Sequence, residues 1–241
     1  MRIRQNTQSQ RIWRAMPRPG LCGYREAEAL RVPYSPMKLR EYPVTFRDEP
    51  MTSTEIATMW KRTFGDFAPL GYVCRHELRE RWLRIHSLPA SKRYPDTETE
   101  YGELLRRHNE VATIVLGEGE ECALFVTTFG EQCASLAERG LPVIDHATFV
   151  DVPELATEQR GERISANVAV AWVSWKRTHF DFLIRSVADE SAGGVLFANF
   201  RRHTAYAPYD GGADVFVDTP EQVALKKKQW SGWLSPRKDG L

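Results

Sequence analysis

Apolar positions recur along residues 51–241 with two different periods, and the periods assign the elements. From Met51 the spacing is helical. Ile56, Met59, Trp60 and Phe64 make one stripe, Thr52 and Glu55 form a capping box ahead of it, and Gly65 supplies a stop. Tyr72 to Leu78 reads as a strand and Arg81 to Ser87 as a second one. In the second, Leu83 and Ile85 share one face while Trp82, Arg84 and His86 share the other. Helical spacing returns behind another capping box, Thr97 with Glu100. Tyr101, Leu104, Leu105, His108, Val111, Ala112 and Val115 then fall on one stripe. Gly117 and Gly119 close that helix, and Cys122 to Thr127 is a continuous apolar run suited to a central strand.

A short helix near 131–139, a strand near 147–152 and a polar surface loop over 153–163 come next. Asn167 to Trp175 and Phe180 to Val187 read as two strands joined by a hairpin at Lys176-Arg177-Thr178. The end of the chain is the most legible part. Gly194 to Phe200 is an apolar, β-favouring run. Thr204 to Tyr209 then leads into Asp210-Gly211, a pair that favours positive φ in a two-residue turn, and Ala213 to Val217 returns as a strand. Thr219-Pro220-Glu221-Gln222 opens a final helix with a Thr cap and Pro at the first helical position. That helix is expected to dock through Val223, Leu225 or Ala224, Trp230 and Trp233, leaving Lys226, Lys227 and Lys228 in water.

Strands that follow one another through short turns predict an α+β fold, a mainly antiparallel sheet with helices packed on one face. Residues 1–50 do not fit this pattern. They hold six prolines and nine arginines and keep neither period, so they read as a basic arm, disordered or the product of an upstream translation start, ahead of one domain over 51–241.

Charge divides the same way. Residues 1–50 carry ten Arg and Lys against five Asp and Glu, a net +5, and the remaining 191 residues carry 23 against 27, a net −4. The total of +1 argues against a dedicated nucleic-acid binder. No apolar stretch approaches the roughly 20 residues that span a bilayer, and no apolar run follows the basic N-terminus as a secretory signal requires. The four cysteines, Cys22, Cys74, Cys122 and Cys133, form no C-x-x-C, which fits a reducing cytoplasm and speaks against structural zinc. The six histidines, His76, His86, His108, His146, His179 and His203, include no i, i+4 pair and no H-E-x-x-H, so no metal and no cofactor is expected.

Candidate chemistry gathers in two places. Arg84-Ile85-His86-Ser87-Leu88-Pro89-Ala90-Ser91-Lys92-Arg93-Tyr94 concentrates cations at a strand exit, and Arg84, His86, Lys92 and Arg93 could clamp an anion. The plain alternative is a hairpin edge whose cations face water or pair with Asp96, Glu98 and Glu100. Tyr209-Asp210-Gly211-Gly212-Ala213-Asp214 offers two carboxylates four apart, which could bind a divalent cation or share acid and base work with His86. Against that, Asp210 suits the turn in any case, and Asp214 could cap the turn or face solvent on a strand. His108, on the buried stripe of its helix, reads as a hydrogen-bonded core histidine.

The segment Arg81 to Tyr94 resembles a signature that recurs among uncharacterised bacterial proteins. Tyr209 to Val215, followed by Lys226, Trp230 and Trp233, is similar to the ends of those proteins. The chain also resembles a bacterial domain-of-unknown-function family with a Tyr-Asp-Asp-Arg-Gly motif, from which it departs at Gly211-Gly212. The likeness spans about 51–241, implies a bacterial origin and a domain start at Met51, and brings no assigned activity. The expected role is a binding module that recognises or neutralises another protein, with no membrane or nucleic-acid partner. The alternative is an enzyme acting on a phosphate-bearing or other anionic substrate, with Asp210 or Asp214 as base. A chain beginning at Met51 is expected to unfold at the same midpoint as the full chain. A drop of several degrees would show that the arm packs on the domain.

Overall fold

The computed structural model describes residues 51–129, 143–149 and 166–235 together with 237 and 240, and their side chains except at 128, 129, 143–149, 166 and 167. The arm 1–50, the helix expected near 131–139 and the loop over 153–163 lie outside the described residues. Among the described residues seven strands form one sheet: β1 (Trp82–His86), β2 (Glu121–Phe129), β3 (Val143–Phe149), β4 (Ala166–Ser174), β5 (Val195–Asn199), β6 (Thr204–Tyr209) and β7 (Gly212–Phe216). Their order is β1-β7-β6-β5-β2-β4-β3, and every neighbouring pair runs antiparallel. With the helices α1 (Ser53–Thr63), α2 (Gly71–Glu77), α3 (Glu98–Leu116), α4 (Asp181–Ala188) and α5 (Pro220–Gln229), this is an α+β fold.

One detail of the expected architecture is corrected. Helices cover both faces of the sheet, not one. On one side α3, α4 and α5 bury Leu104, Val111, Leu183, Ile184, Val223 and Trp230 against Leu83, Ile85, Leu124, Phe197 and Val215. On the other, Ile56 and Trp60 of α1 and Cys74 of α2 pack with Ala123, Phe125, Leu196, Ala198, Ala205 and Phe216. The cause is visible in β5, whose five residues are all buried. A strand apolar on both faces needs cover on both.

Local signals hold where a cap fixes them. Thr52 and Glu55 make both halves of the capping box on α1, and Gly65 ends it with a φ of 132°. Thr97 accepts from the Glu100 N–H at the start of α3. Thr219 accepts from the Gln222 N–H at the start of α5.

Two segments read as strands are helices. Residues 72–78 fall in α2 and its C-cap Leu78, and residues 180–187 in α4 and its N-cap Phe180. In the second case the helical spacing is in the sequence: Phe180, Leu183, Ile184, Val187 and Ala188 stand at i, i+3, i+4, i+7 and i+8, and all are buried. By residue type Phe180, Phe182, Ile184 and Val187 favour strand, but the helical spacing lays one face on the core. In α2 the buried positions are Val73 and Cys74, one turn on from buried Leu70, too short a run to establish a period.

Trp230 is 1% exposed and caps the core under α5, with Lys226 over its ring at 5.5 Å. Leu225, expected to dock, is instead 59% exposed, and Lys226 is half-buried. Trp230→Ala is expected to cost roughly 3–5 kcal/mol in denaturant unfolding, the usual range for removing a buried indole. A loss below about 1 kcal/mol would mean the ring contributes little to the core.

Candidate functional site

The two chemical stretches meet because β1 and β7 pair. In that register Arg84 stands directly opposite Asp214, and His86 opposite Gly212. The pairing brings the strands too close for a side chain at Gly212, where a Cβ would sit 1.9 Å from the Ile85 carbonyl oxygen. Asp214 is 4% exposed. Its Oδ1 accepts from Trp82 Nε1 at 2.8 Å and from Arg84 Nε at 2.9 Å, and its Oδ2 accepts from Arg84 Nη2 at 3.0 Å. This is a bidentate fork with a third donor. Burial lowers the Arg84 guanidinium pKa, but the Asp214 carboxylate more than offsets that and the net shift is upward. The Arg84 guanidinium also lies over the Tyr209 ring at 4.4 Å.

The second carboxylate is also held by an arginine, through one of its oxygens. Arg93 Nε donates to Asp210 Oδ2 at 2.7 Å, and the Tyr94 hydroxyl lies between Glu190 at 2.7 Å and Asp210 at 3.1 Å, able to donate to either. Lys92 pairs with Asp96 at 2.8 Å and also with Glu100. The hydrogen bonds to those two carboxylates raise the Lys92 pKa. These contacts hold a strained loop, since Ala90 and Ser91 both sit in the left-handed region with φ of 56° and 54°. Such residues cost of order 1 kcal/mol each and persist only where surrounding contacts impose them.

The Asp210-Gly211 turn differs from expectation: neither residue adopts a positive φ. Tertiary contacts set it instead, with the Ser87 N–H donating to the Gly211 carbonyl at 3.0 Å and the Asp210 side chain drawn to Arg93. Asp210 is 6% exposed, so neither carboxylate faces water as a plain turn or strand acid would.

His86 is buried, and burial first, then Arg84 and Arg107, lowers its pKa. Its Nε2 has no hydrogen-bond partner among the described residues. Beside this cluster stands a residue the sequence reading passed over. Arg75, half-buried on α2, lies within electrostatic range of Asp214, Arg84 and Tyr209. Reading 72–78 as a strand hid it, because only a helix starting at Gly71 brings position 75 over β7.

On the far side of β1 runs a buried polar chain. Ser87 Oγ meets His108 Nε2 at 2.7 Å, and His108 Nδ1 meets the Tyr206 hydroxyl. The three residues are at most 1% exposed. This has the order of a nucleophile, a base and an orienting group, but no surface from which a substrate could reach it. Burial lowers the His108 pKa to about 3, so the ring is neutral, with one nitrogen donating and the other accepting. Among the described residues no three His, Cys, Asp or Glu side chains group as metal ligands do. Asp145 and His146 lie in β3, and their side chains are outside the described set.

A family model described as a domain of unknown function, DUF3885, matches residues 70–238. The chain belongs to the DUF3885 family. The matched span contains every residue of the Arg84–Asp214 and Arg93–Asp210 clusters, together with Arg75. It starts after α1, although α1 of this DUF3885 protein supplies Ile56 and Trp60 to one face of the core. No curated protein and no solved structure matches the chain.

The buried imidazole of this DUF3885 domain makes a pH prediction. An unfolded histidine titrates near pH 6.5, whereas folded His108 takes a proton only near pH 3. Between those values the unfolded chain binds more protons. The contribution of His108 is therefore complete above pH 6.5 and lost as the pH falls toward 3, at up to about 1.4 kcal/mol per pH unit. Measured by denaturant unfolding, the stability difference between wild type and His108→Gln should shrink steadily from pH 6.5 to pH 4. Parallel pH profiles would show that His108 does not carry this effect.

Proposed function

We propose that the domain works by binding, with another protein as partner, through the surface made by Tyr94, Tyr101 and the outer face of α4. The observation that carries this reading is where charge is spent and where aromatic surface is left. Arg84, Arg93 and Lys92 each hold carboxylates of this same chain. Tyr94 and Phe182, in contrast, remain 43% and 39% exposed.

These exposed groups share one surface. Phe182, Arg185 and Asp189 stand at i, i+3 and i+7, one side of α4 and its cap. Arg185 lies over the Tyr101 ring at 4.1 Å and pairs with Glu98, while Tyr101 bonds Asp189 and Tyr94 bonds Glu190. Aromatic rings and arginine held in place by neighbours are the residue types that dominate protein interfaces, because little side-chain entropy remains to be lost on binding. No helix among the described residues is long and apolar enough to cross a membrane.

The alternative reading, an enzyme for a phosphate-bearing or other anionic substrate with Asp210, Asp214 or His86 in catalytic roles, needs a carboxylate free to take a proton. Both carboxylates sit instead in arginine contacts, and the Ser87–His108–Tyr206 chain is enclosed. That favours binding over catalysis.

The test is capture from the native host with wild type and with Tyr94→Asp/Phe182→Asp, after thermal melts show both fold. A partner retained in stoichiometric amount by wild type and lost by the double variant supports the reading. The same proteins retained by both, or none retained by wild type, would refute this surface.

A further inference from the structure

We propose that Arg75, together with the Arg84–Asp214 pair beside it, is a binding point for an oxyanionic group, a carboxylate or a phosphate, presented from outside the chain. This goes beyond the binding reading, because the site lies on the face of the sheet that receives α2, opposite the face covered by α4, and stands on its own geometry.

The geometry begins at Gly71. Helix α2 lies so close to the sheet that a Cβ at Gly71 would be 2.9 Å from the Ala207 Cβ and 3.9 Å from Asp214 Oδ2. Arg75 is one turn further on, at i+4, and so on the same side of the helix. The glycine therefore lets α2 carry a guanidinium down to the strand pair that holds Arg84 and Asp214. Among the described residues the Arg75 side chain has neither a hydrogen bond nor an ion pair, although it is half-buried and its neighbour Arg84 has a carboxylate partner.

Charge then decides what is missing. Arg75 and Arg84 contribute two positive charges and Asp214 one negative. Arg93 and Asp210 cancel next to them. Burial raises the Tyr209 pKa, so the phenol is neutral, and His86 is neutral because burial, then Arg84 and Arg107, lower its pKa. Among the described residues one positive charge is left without a counter-charge in a partly desolvated place. Burial, with Arg84 adding to it, lowers the Arg75 pKa against the pull of Asp214, as expected for a cation whose partner is absent. Arginine presents a planar fork of donors that matches carboxylate and phosphate oxygens. Two residues along the same face of β1 from Arg84, His86 Nε2 is a second polar atom there without a partner.

The test uses the full chain and three variants of the medium: chloride, acetate and phosphate at pH 7 and equal ionic strength. Wild type is compared with Arg75→Gln and with Arg79→Gln, an exposed arginine one turn on. Phosphate stabilises proteins generally by exclusion from their surfaces, so the quantity read is the anion-specific rise in melting temperature that Arg75→Gln loses and Arg79→Gln keeps. At an anion concentration ten times its dissociation constant that rise is expected to be about 3–5 °C.

A rise in phosphate alone identifies a phosphate group; a rise in acetate as well identifies a carboxylate. In chloride, Arg75→Gln should melt no lower than wild type, because it removes a cation that no ion pair among the described residues neutralises. Equal anion responses in wild type and Arg75→Gln would overturn the proposal. So would an Arg75→Gln chain that melts well below wild type in chloride or does not fold, since Arg75 would then be part of the scaffold. No partner is needed for this measurement, so a failed capture through Tyr94 and Phe182 leaves its result standing.

Discussion

The contact on which the chemical end of this molecule depends is the cross-strand pair Arg84–Asp214. A carboxylate 4% exposed must be compensated or protonated. Here Trp82 and Arg84 of β1 supply three donors to it, which ties the edge strand β1 to β7 through side chains as well as backbone. A buried pair of this kind is weak evidence for net stability, because desolvation opposes the attraction. Losing one partner, however, typically costs about 3–5 kcal/mol, since the other is left charged and buried. What the pair accompanies is one register, in which Arg84 stands opposite Asp214 and Trp82 reaches the same carboxylate.

Other features follow from that register. Opposite His86, the backbone comes so near that only glycine fits at position 212. The β6–β7 turn is drawn over the strand exit, where Ser87 bonds Gly211 and Arg93 reaches Asp210. Those bonds hold Ala90 and Ser91 in left-handed conformations and so fix the loop that exposes Tyr94. Covering the sheet on both faces completes the arrangement. The face that receives α2 gains Arg75 beside an arginine already neutralised, and the opposite face encloses Ser87, His108 and Tyr206.

Most of the framework is readable in the sequence. The α+β class, the helices α1, α3 and α5 with their threonine caps, and the strands β1, β2, β4, β5, β6 and β7 all come from periodicity, capping chemistry and turn residues, which act within a few positions of one another. The misreadings have local causes. In 180–187 the residues favour strand by type but helix by spacing, and packing of Leu183, Ile184 and Val187 on the sheet decides for helix. In 71–77 only Val73 and Cys74 are buried, too few to show a period, and the error concealed Arg75.

The candidate site was legible as a set of residue types and illegible as a state of charge. Sequence alone determined that Arg84, His86, Lys92, Arg93, Asp210 and Asp214 lie at a strand exit and a hairpin end, because alternation and turn residues place them there. It also determined that His108 falls on a buried stripe. Only the tertiary structure decided which cation meets which carboxylate, with 130 positions separating Arg84 from Asp214 and 117 separating Arg93 from Asp210. It alone left the Arg75 side chain without a partner among the described residues. The reason is physical: propensity and capping are short-range, whereas neutralisation and desolvation depend on groups that only the closed sheet brings together.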